Sequence, residues 1–275
     1  MKKMTLLFAL AVTAIAISFT ACKKTTDSGG VADASTLKIT SQTTISDNLT
    51  EDANNVFTQT VNDTTALGSA RPAPYYNATV TISAGAFPKT LTIDFGAGTS
   101  PSADGIVRSG QIIVVLSDSF YKTGSMDTLT FNNYTVAGYH KEGTIIWTNL
   151  TSHDTLAWQR VDSGTVTAPD GLSYWHHFGV RNVIQTGGIG DNNLYDNVYS
   201  ITGNHTIVNS DGVTATAVII PITPLEKKAN CPWIDKGQFV ISVPNHSVLI
   251  DFGNGDCDAS AAYSFDNGPF HTFLF

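Results

Sequence analysis

Asp251, Asn254, Asp256 and Asp258 lie within eight residues of one another beside Gly253 and Gly255, and Asp191, Asn192, Asn193 and Asp196 form a second oxygen-rich stretch. Calcium is held by several hard oxygens in a flexible loop, so both stretches are weak calcium candidates. Neither has the spacing of an EF-hand, and Asp and Asn also end strands by bonding backbone amides just ahead of them. The seven His, at 140, 153, 176, 177, 205, 246 and 271, contain no His-Glu-x-x-His. Only His176 and His177 are adjacent, after Trp175. Strand neighbours point to opposite faces, so the expectation is one exposed His and one packed among aromatics, not a metal-binding pair.

Nucleophile patterns are equally thin. Ser35-Thr-Leu-Lys38, Ser46-Asp-Asn48 and Lys122-Thr-Gly124 follow the order of the motifs in penicillin-recognising serine enzymes. There the nucleophile opens a buried helix far along the chain from the second motif. Here about ten residues separate the two, so chance explains the match. Gly-x-Ser-x-Gly is absent, and Gly187-Gly-Ile-Gly190 lacks the Lys of a phosphate loop. Glycoside hydrolysis needs two acids facing across a cleft, which spacing alone does not display. The reading is therefore no catalytic residue and no cofactor. Trp147, Trp158, Trp175 and Trp233, with Tyr75 and Tyr76, could build an exposed platform for sugars or a partner protein, but core packing is the more common fate of such residues. Asp63-Thr-Thr, Asp127-Thr-Leu and Asp154-Thr-Leu resemble O-glycosylation acceptor sites of Bacteroidota.

The elements that would position these residues are mostly strands. Alternating segments such as Thr90–Phe95 and Asp127–Asn132, and apolar runs such as Gln111–Leu116, Thr144–Trp147 and Ala217–Ile220, are separated by Gly, Asn, Asp and Pro about every ten residues. That spacing predicts a mainly β protein of antiparallel sheet, as β-sandwich-like or extended sheet units. One short N-terminal helix is expected over 48–61, where Leu49, Ala53, Val56, Phe57 and Val61 recur at helical spacing and Asn48 with Glu51 could form a capping box. Its apolar stripe would pack on a sheet. Leu91–Gly98 and Val248–Gly255 echo each other, each ending in Asp-Phe-Gly-x-Gly. A weaker echo links 133–138 to 198–203 in the opposite order, so tandem duplication is not established. The working division is an N-terminal segment at 35–69 carrying the helix, a first β unit at 70–150 and a second at 151–275, which could share one sheet.

Two of the three Cys fit a bridge. Strand-like runs 238–243 and 247–252 flank Pro244-Asn245-His246, and in a hairpin centred there opposed positions sum to about 490, close to the 488 of Cys231 and Cys257. An exported setting favours oxidation of such a pair, with two buried free thiols as the competing reading.

The amino terminus supplies that setting. Lys2 and Lys3 precede an apolar stretch, Leu6–Ile17, too short for a permanent membrane span, which reads as a secretory signal over 1–21. Its end, Phe19-Thr20-Ala21-Cys22, resembles the lipobox of bacterial lipoproteins, in which the Cys is acylated and becomes the new N-terminus; the usual Leu of the first position is replaced by Phe19. The resemblance implies membrane attachment through acylated Cys22, followed by a small, polar tether at 22–34. Cleavage would take 21 of 275 residues and leave 13 basic against 23 acidic side chains, a net −10. The whole chain, 42% hydrophobic and 14% charged with a net −8, has too much apolar content for a disordered tail and no basic field for nucleic acid.

Beyond the lipobox, the paired Ile-Asp-Phe-Gly-x-Gly turns, Val107-Arg-Ser-Gly110, and Cys231–Gly237 leading to Asp251–Asp258 resemble a family of Bacteroidota envelope lipoproteins over most of residues 75–275. The resemblance implies a β-rich, lipid-anchored protein of the outer membrane, at its periplasmic face or the cell surface, and carries no established activity. Lys23 and Lys24 stand where many surface-exposed members have acidic residues, which leaves the membrane face open. The expected role is non-catalytic binding or structure, toward a glycan or an envelope protein, with a carbohydrate-binding module or glycosidase as the alternative.

Overall fold

A computed structural model describes residues 33–64, 71–73, 76–153, 155–190 and 196–274. Cys22 and its signal, Tyr75, Asp154 and Asp191, Asn192 and Asn193 lie outside the described residues.

The chain opens with α1 (Ala34–Thr64), a helix of 31 residues. It begins well before the expected 48–61 because its cap is Asp33, whose Oδ1 accepts the Thr36 amide at 2.8 Å and the Ser35 hydroxyl at 2.8 Å. Asn48 and Glu51 do not cap; Asn48 donates to the Thr44 carbonyl at 3.1 Å and accepts the Ile234 amide at 3.2 Å. The first half of α1 is rich in Thr and Ser, weak helix formers without an apolar period. Thr43 and Thr44 turn their hydroxyls back onto the carbonyls four residues earlier, at 2.6 and 3.1 Å. Such a segment gains its helicity from enclosure rather than propensity.

Enclosure is what the sheet provides. Its strands are β1 (Arg71–Ala73), β2 (Ala78–Ile82), β3 (Lys89–Asp94), β4 (Arg108–Leu116), β5 (Met126–Val136), β6 (Tyr139–Asn149), β7 (Ala157–Thr167) and β8 (Tyr174–Gly187). These are followed by β9 (Val198–Asn209), β10 (Thr214–Ile219), β11 (Leu225–Lys228), β12 (Lys236–Val243), β13 (His246–Asn254), β14 (Ser260–Phe265) and β15 (Phe270–Leu274). All pair antiparallel in one sheet ordered β1 to β10 and then β12 to β15, with β11 lodged beside β9 and β12. The working boundary at residue 150 falls in the turn between β6 and β7, which pair from His140 opposite Thr167 to Asn149 opposite Trp158, so the sheet continues across it.

The helix does not rest one apolar stripe on this sheet. Leu49, Ala53, Val56, Phe57 and Val61 are buried, but so are Gln42, Asp47, Glu51, Asp52, Asn55 and Gln59 on its other sides. Bonds reach α1 from β4, β5, β6, β7, β8 and β9 and from the β11–β12 connection, so the sheet curls around the helix. Period-two alternation then sets which side chains enter this interior. Phe57, Phe120, Trp147 and Trp158 fill one part of it, with Phe120 stacked on Trp158 at 5.0 Å and edge-on to Phe57 at 5.3 Å.

Cys231 and Cys257 are bridged, with Cα atoms 5.7 Å apart. The bridge spans the β12–β13 hairpin, whose register runs from Val243 opposite His246 to Gln238 opposite Asp251 before a bulge at Gly237. Closing a loop of 26 residues stabilises the fold by about 3.5 kcal/mol through lost unfolded-chain entropy.

Candidate functional site

The titratable side chains concentrate inside the curl, between helix and sheet. Glu51 on α1 is gripped by Arg160 of β7, with Nη1 at 2.8 Å from Oε2 and Nη2 on Oε1. Asp52 takes Arg108 of β4 and the Tyr134 hydroxyl at 3.1 Å, and Arg108 reaches Asp104 at 2.7 Å as well. Asp47 takes Arg181 at 2.7 Å and lies 3.3 Å from His205 Nδ1. A further chain runs from Asp162 to His177 Nδ1 at 2.9 Å, from His177 Nε2 to Lys141 Nζ at 3.3 Å, and from Lys141 to the Thr50 hydroxyl at 3.2 Å.

Burial sets the protonation of this network. It pulls Lys141 down to about 8, against the attraction of Asp162, Glu51 and Asp47, and pulls His205 down to about 4 despite Asp47. Burial also works against the Arg108 charge, but Asp52 and Asp104 outweigh it and hold the guanidinium above its ordinary pKa. Asp162 stays below the usual carboxylate range, since His177 and Lys141 overcome its desolvation. These pairs fasten α1 into the sheet. Most of their acceptor oxygens are taken by internal partners, with Asp47 Oδ2 a buried exception.

Asp127, at the start of β5, is the described carboxyl that most resembles a poised acid. Burial, with Asp118 nearby, raises it to about 7, while the Ser117 amide works in the opposite direction. A carboxyl whose folded pKa exceeds its unfolded value stabilises the fold fully below the unfolded pKa of 3.8 and loses that contribution as pH rises through about 7. Asp127→Asn is therefore expected to stabilise the protein at pH 8, by about 2 kcal/mol after allowing for partial screening, and to gain almost nothing at about pH 3, below the unfolded pKa. Urea unfolding at the two pH values measures this, and an equal effect at both would refute it.

The residues singled out in the sequence are mostly kept apart. Asp251 accepts the Gly253 amide at 2.8 Å and Asp258 accepts the Ser260 amide at 3.0 Å, which is turn chemistry within one exposed segment. Among the described residues no three His, Cys, Asp or Glu side chains converge as a metal site. His176 is exposed and His177 buried, as alternation requires, but the buried ring sits in the Asp162–Lys141 chain rather than among aromatics. Trp147, Trp158 and Trp175 are core residues, Trp233 packs partly buried against the core, and Tyr76 is buried. Ser35 is tied to Asp33, Asp47 to Arg181 and Lys122 to Asp118, so the three serine-enzyme motifs have separate structural partners.

Two recesses on the outer face carry a construction that the sequence announced only as an echo. In the first, Asp94 Oδ1 accepts the Gly96 amide at 2.8 Å, Asp94 Oδ2 accepts Gln111 Nε2 at 2.8 Å, and Gln111 Oε1 accepts Asn132 Nδ2 at 3.0 Å. In the second, Asp251 takes the Gly253 amide and Gln238 Nε2, the latter at 2.7 Å, and Gln238 Oε1 accepts the Thr223 hydroxyl at 3.3 Å. Each Gln follows a glycine at a bulge, Gly110 with φ 74° and Gly237 with φ 101°. A Cβ there would stand 2.1 Å from the Asn133 carbonyl oxygen or 2.2 Å from that of Pro224, so only glycine lets the neighbouring chain pass. The recesses measure about 380 Å³, lined by Asp94, Ala97, Ser109, Gln111, Asn132 and Asn133, and about 330 Å³, lined by Ser200, Ile222, Glu226, Lys236, Asp251 and Asn254 among others. Sequence reasoning missed the paired glutamines because a Gly-Gln dipeptide is too short a signal without its Asp partner across the ladder.

No protein-family model matches the chain, nor does any curated protein or solved structure.

Proposed function

We propose that the chain is an exported envelope lipoprotein, held at a membrane by acylated Cys22, whose folded body has a non-catalytic binding or structural role. The resemblance to Bacteroidota envelope lipoproteins and the lipobox carry the location. The role is carried by the interior: Asp47, Glu51 and Asp52 on α1 each take an arginine of the surrounding strands, and Asp162 takes the His177 ring. Such an interior uses these acids to fasten helix and strands together.

Carbohydrate binding is a second reading, favoured by the polar recesses. Its glycosidase form requires a free acid and a free base. In the second recess, however, Asp251 has one oxygen bonded to Gly253 and the other to Gln238, and Glu226 faces Lys236 at 3.6 Å. Incubation with a panel of chromogenic glycosides is expected to release no chromophore above a protein-free blank. Turnover that disappeared in Asp251→Asn would replace the non-catalytic reading with the enzyme.

A further inference from the structure

The two recesses share more than a motif. Their Asp residues lie on β3 and β13, each third from its own edge of the sheet, and their Gln residues on β4 and β12, each fourth from that edge. The carboxylate accepts the amide two residues on, the Gln amide bridges carboxylate and a third side chain, and a positive-φ glycine precedes the Gln in both. Chain order differs: the Asp strand comes first in one recess and the Gln strand first in the other. The same local answer is thus reached through different connections.

Direction follows from pairing. Nine antiparallel steps separate β3 from β13, an odd number, so the strands run oppositely and their carboxyl ends reach opposite rims of the sheet. Both Asp–Gln pairs alternate with buried neighbours, Ile93 and Ile112 in one case and Ile250 and Phe239 in the other, and so face outward.

Chemistry defines what such a recess would take. Asp94, Gln111, Asn132 and Asn133 in the first offer carboxylate and amide groups with no cation, and the second adds Ser200, Thr223 and Asn254 around a Glu226–Lys236 pair that neutralises itself. After the internal bonds, each Gln amide keeps a second hydrogen and each carboxylate keeps lone pairs. Adjacent donors and acceptors of this kind match vicinal hydroxyls; the first recess has no positive charge for an anion, and the one lysine lining the second, Lys236, faces Glu226. Ala97 in one recess and Ile222 with Pro224 in the other supply a small apolar wall. We infer that these are two equivalent sites for neutral, hydroxyl-rich ligands of the glycan class, facing opposite rims, so that one protein joins two glycan segments. This inference rests on the binding role proposed above and gives it a ligand class and a valency.

Ala97 and Asn254 occupy the same place in the two Asp-Phe-Gly-x-Gly turns, are exposed, and form none of the Asp–Gln bonds. Ala97→Trp and Asn254→Trp should therefore fill each recess without unfolding the sheet, which thermal unfolding checks. The probe is a panel of neutral oligosaccharides presented to detergent-solubilised full-length protein, first as an array and then by titration calorimetry with any sugar retained. The expected stoichiometry is two sugars per chain, falling to one in either variant, with binding weakened by more than about tenfold in the double variant. Retention of no neutral sugar, or binding that survives the double substitution, would overturn the two-site inference. Neither result would touch membrane attachment or the absence of glycoside turnover, which are read separately.

Discussion

Replacing Cys22 by serine is expected to move the protein almost completely from the membrane fraction to the soluble fraction of cells. Each acyl methylene buried in lipid contributes about 0.8 kcal/mol, and two or three chains on one residue hold far more firmly than a single chain. No helix among the described residues is long and apolar enough to cross a membrane. Outward positions on β7 and β9 mix Gln159, Ser163, Thr165, Ser200, Thr202 and Asn204 with Val161 and Val208, and β8 between them exposes Tyr174, Phe178 and Ile184 beside His176 and Asn182, a mixed face rather than the continuous apolar band of a lipid-facing barrel strand. Ultracentrifugation of lysates with immunoblotting measures the redistribution, and the intact mass of the wild type should exceed the processed chain by its acyl groups. Serine-substituted protein that stayed with washed vesicles would sink the anchor.

The second large effect lies at the helix. Glu51→Ala would leave Arg160, which is 1% exposed, as a buried charge without its carboxylate. Such a vacancy costs about 3–5 kcal/mol, a large share of the roughly 5–15 kcal/mol that a folded domain has to lose. Placing Met at both positions removes the stranded charge and is expected to recover most of the loss. Lys38 and Asp211 are the control. Their 2.6 Å pair is 38% and 52% exposed, and Lys38→Ala should shift stability by less than about 1 kcal/mol. Urea unfolding of the four proteins orders them, and a Glu51→Ala variant no weaker than Lys38→Ala would show that α1 is held by its apolar contacts alone.

Much of the fold could be read along the chain. Alternation and punctuation announced antiparallel strands, and the symmetry of one hairpin paired Cys231 with Cys257. The Asp-Phe-Gly-x-Gly echo marked both recesses, because an Asp that bonds the amide two residues ahead is a local event that needs no distant partner. The length of α1 was hidden, since Thr and Ser between 35 and 46 signal no helix on their own. Inward charges were hidden too. On β7, Trp158, Arg160 and Asp162 share the inner face while Val161 points out, a pattern that polarity cannot orient.

Local chemistry thus determined from the sequence alone where strands run, where they turn, and which thiols meet. Only the tertiary structure decided that the sheet encloses a polar helix, that Arg108, Arg160 and Arg181 face inward to its carboxylates, and that the two Asp–Gln recesses stand at opposite rims. The reason is physical. A turn or a hairpin register is set by residues a few positions apart, whereas the partner that makes a buried charge tolerable arrives from 56 to 134 residues away and exists only once the sheet has closed around the helix.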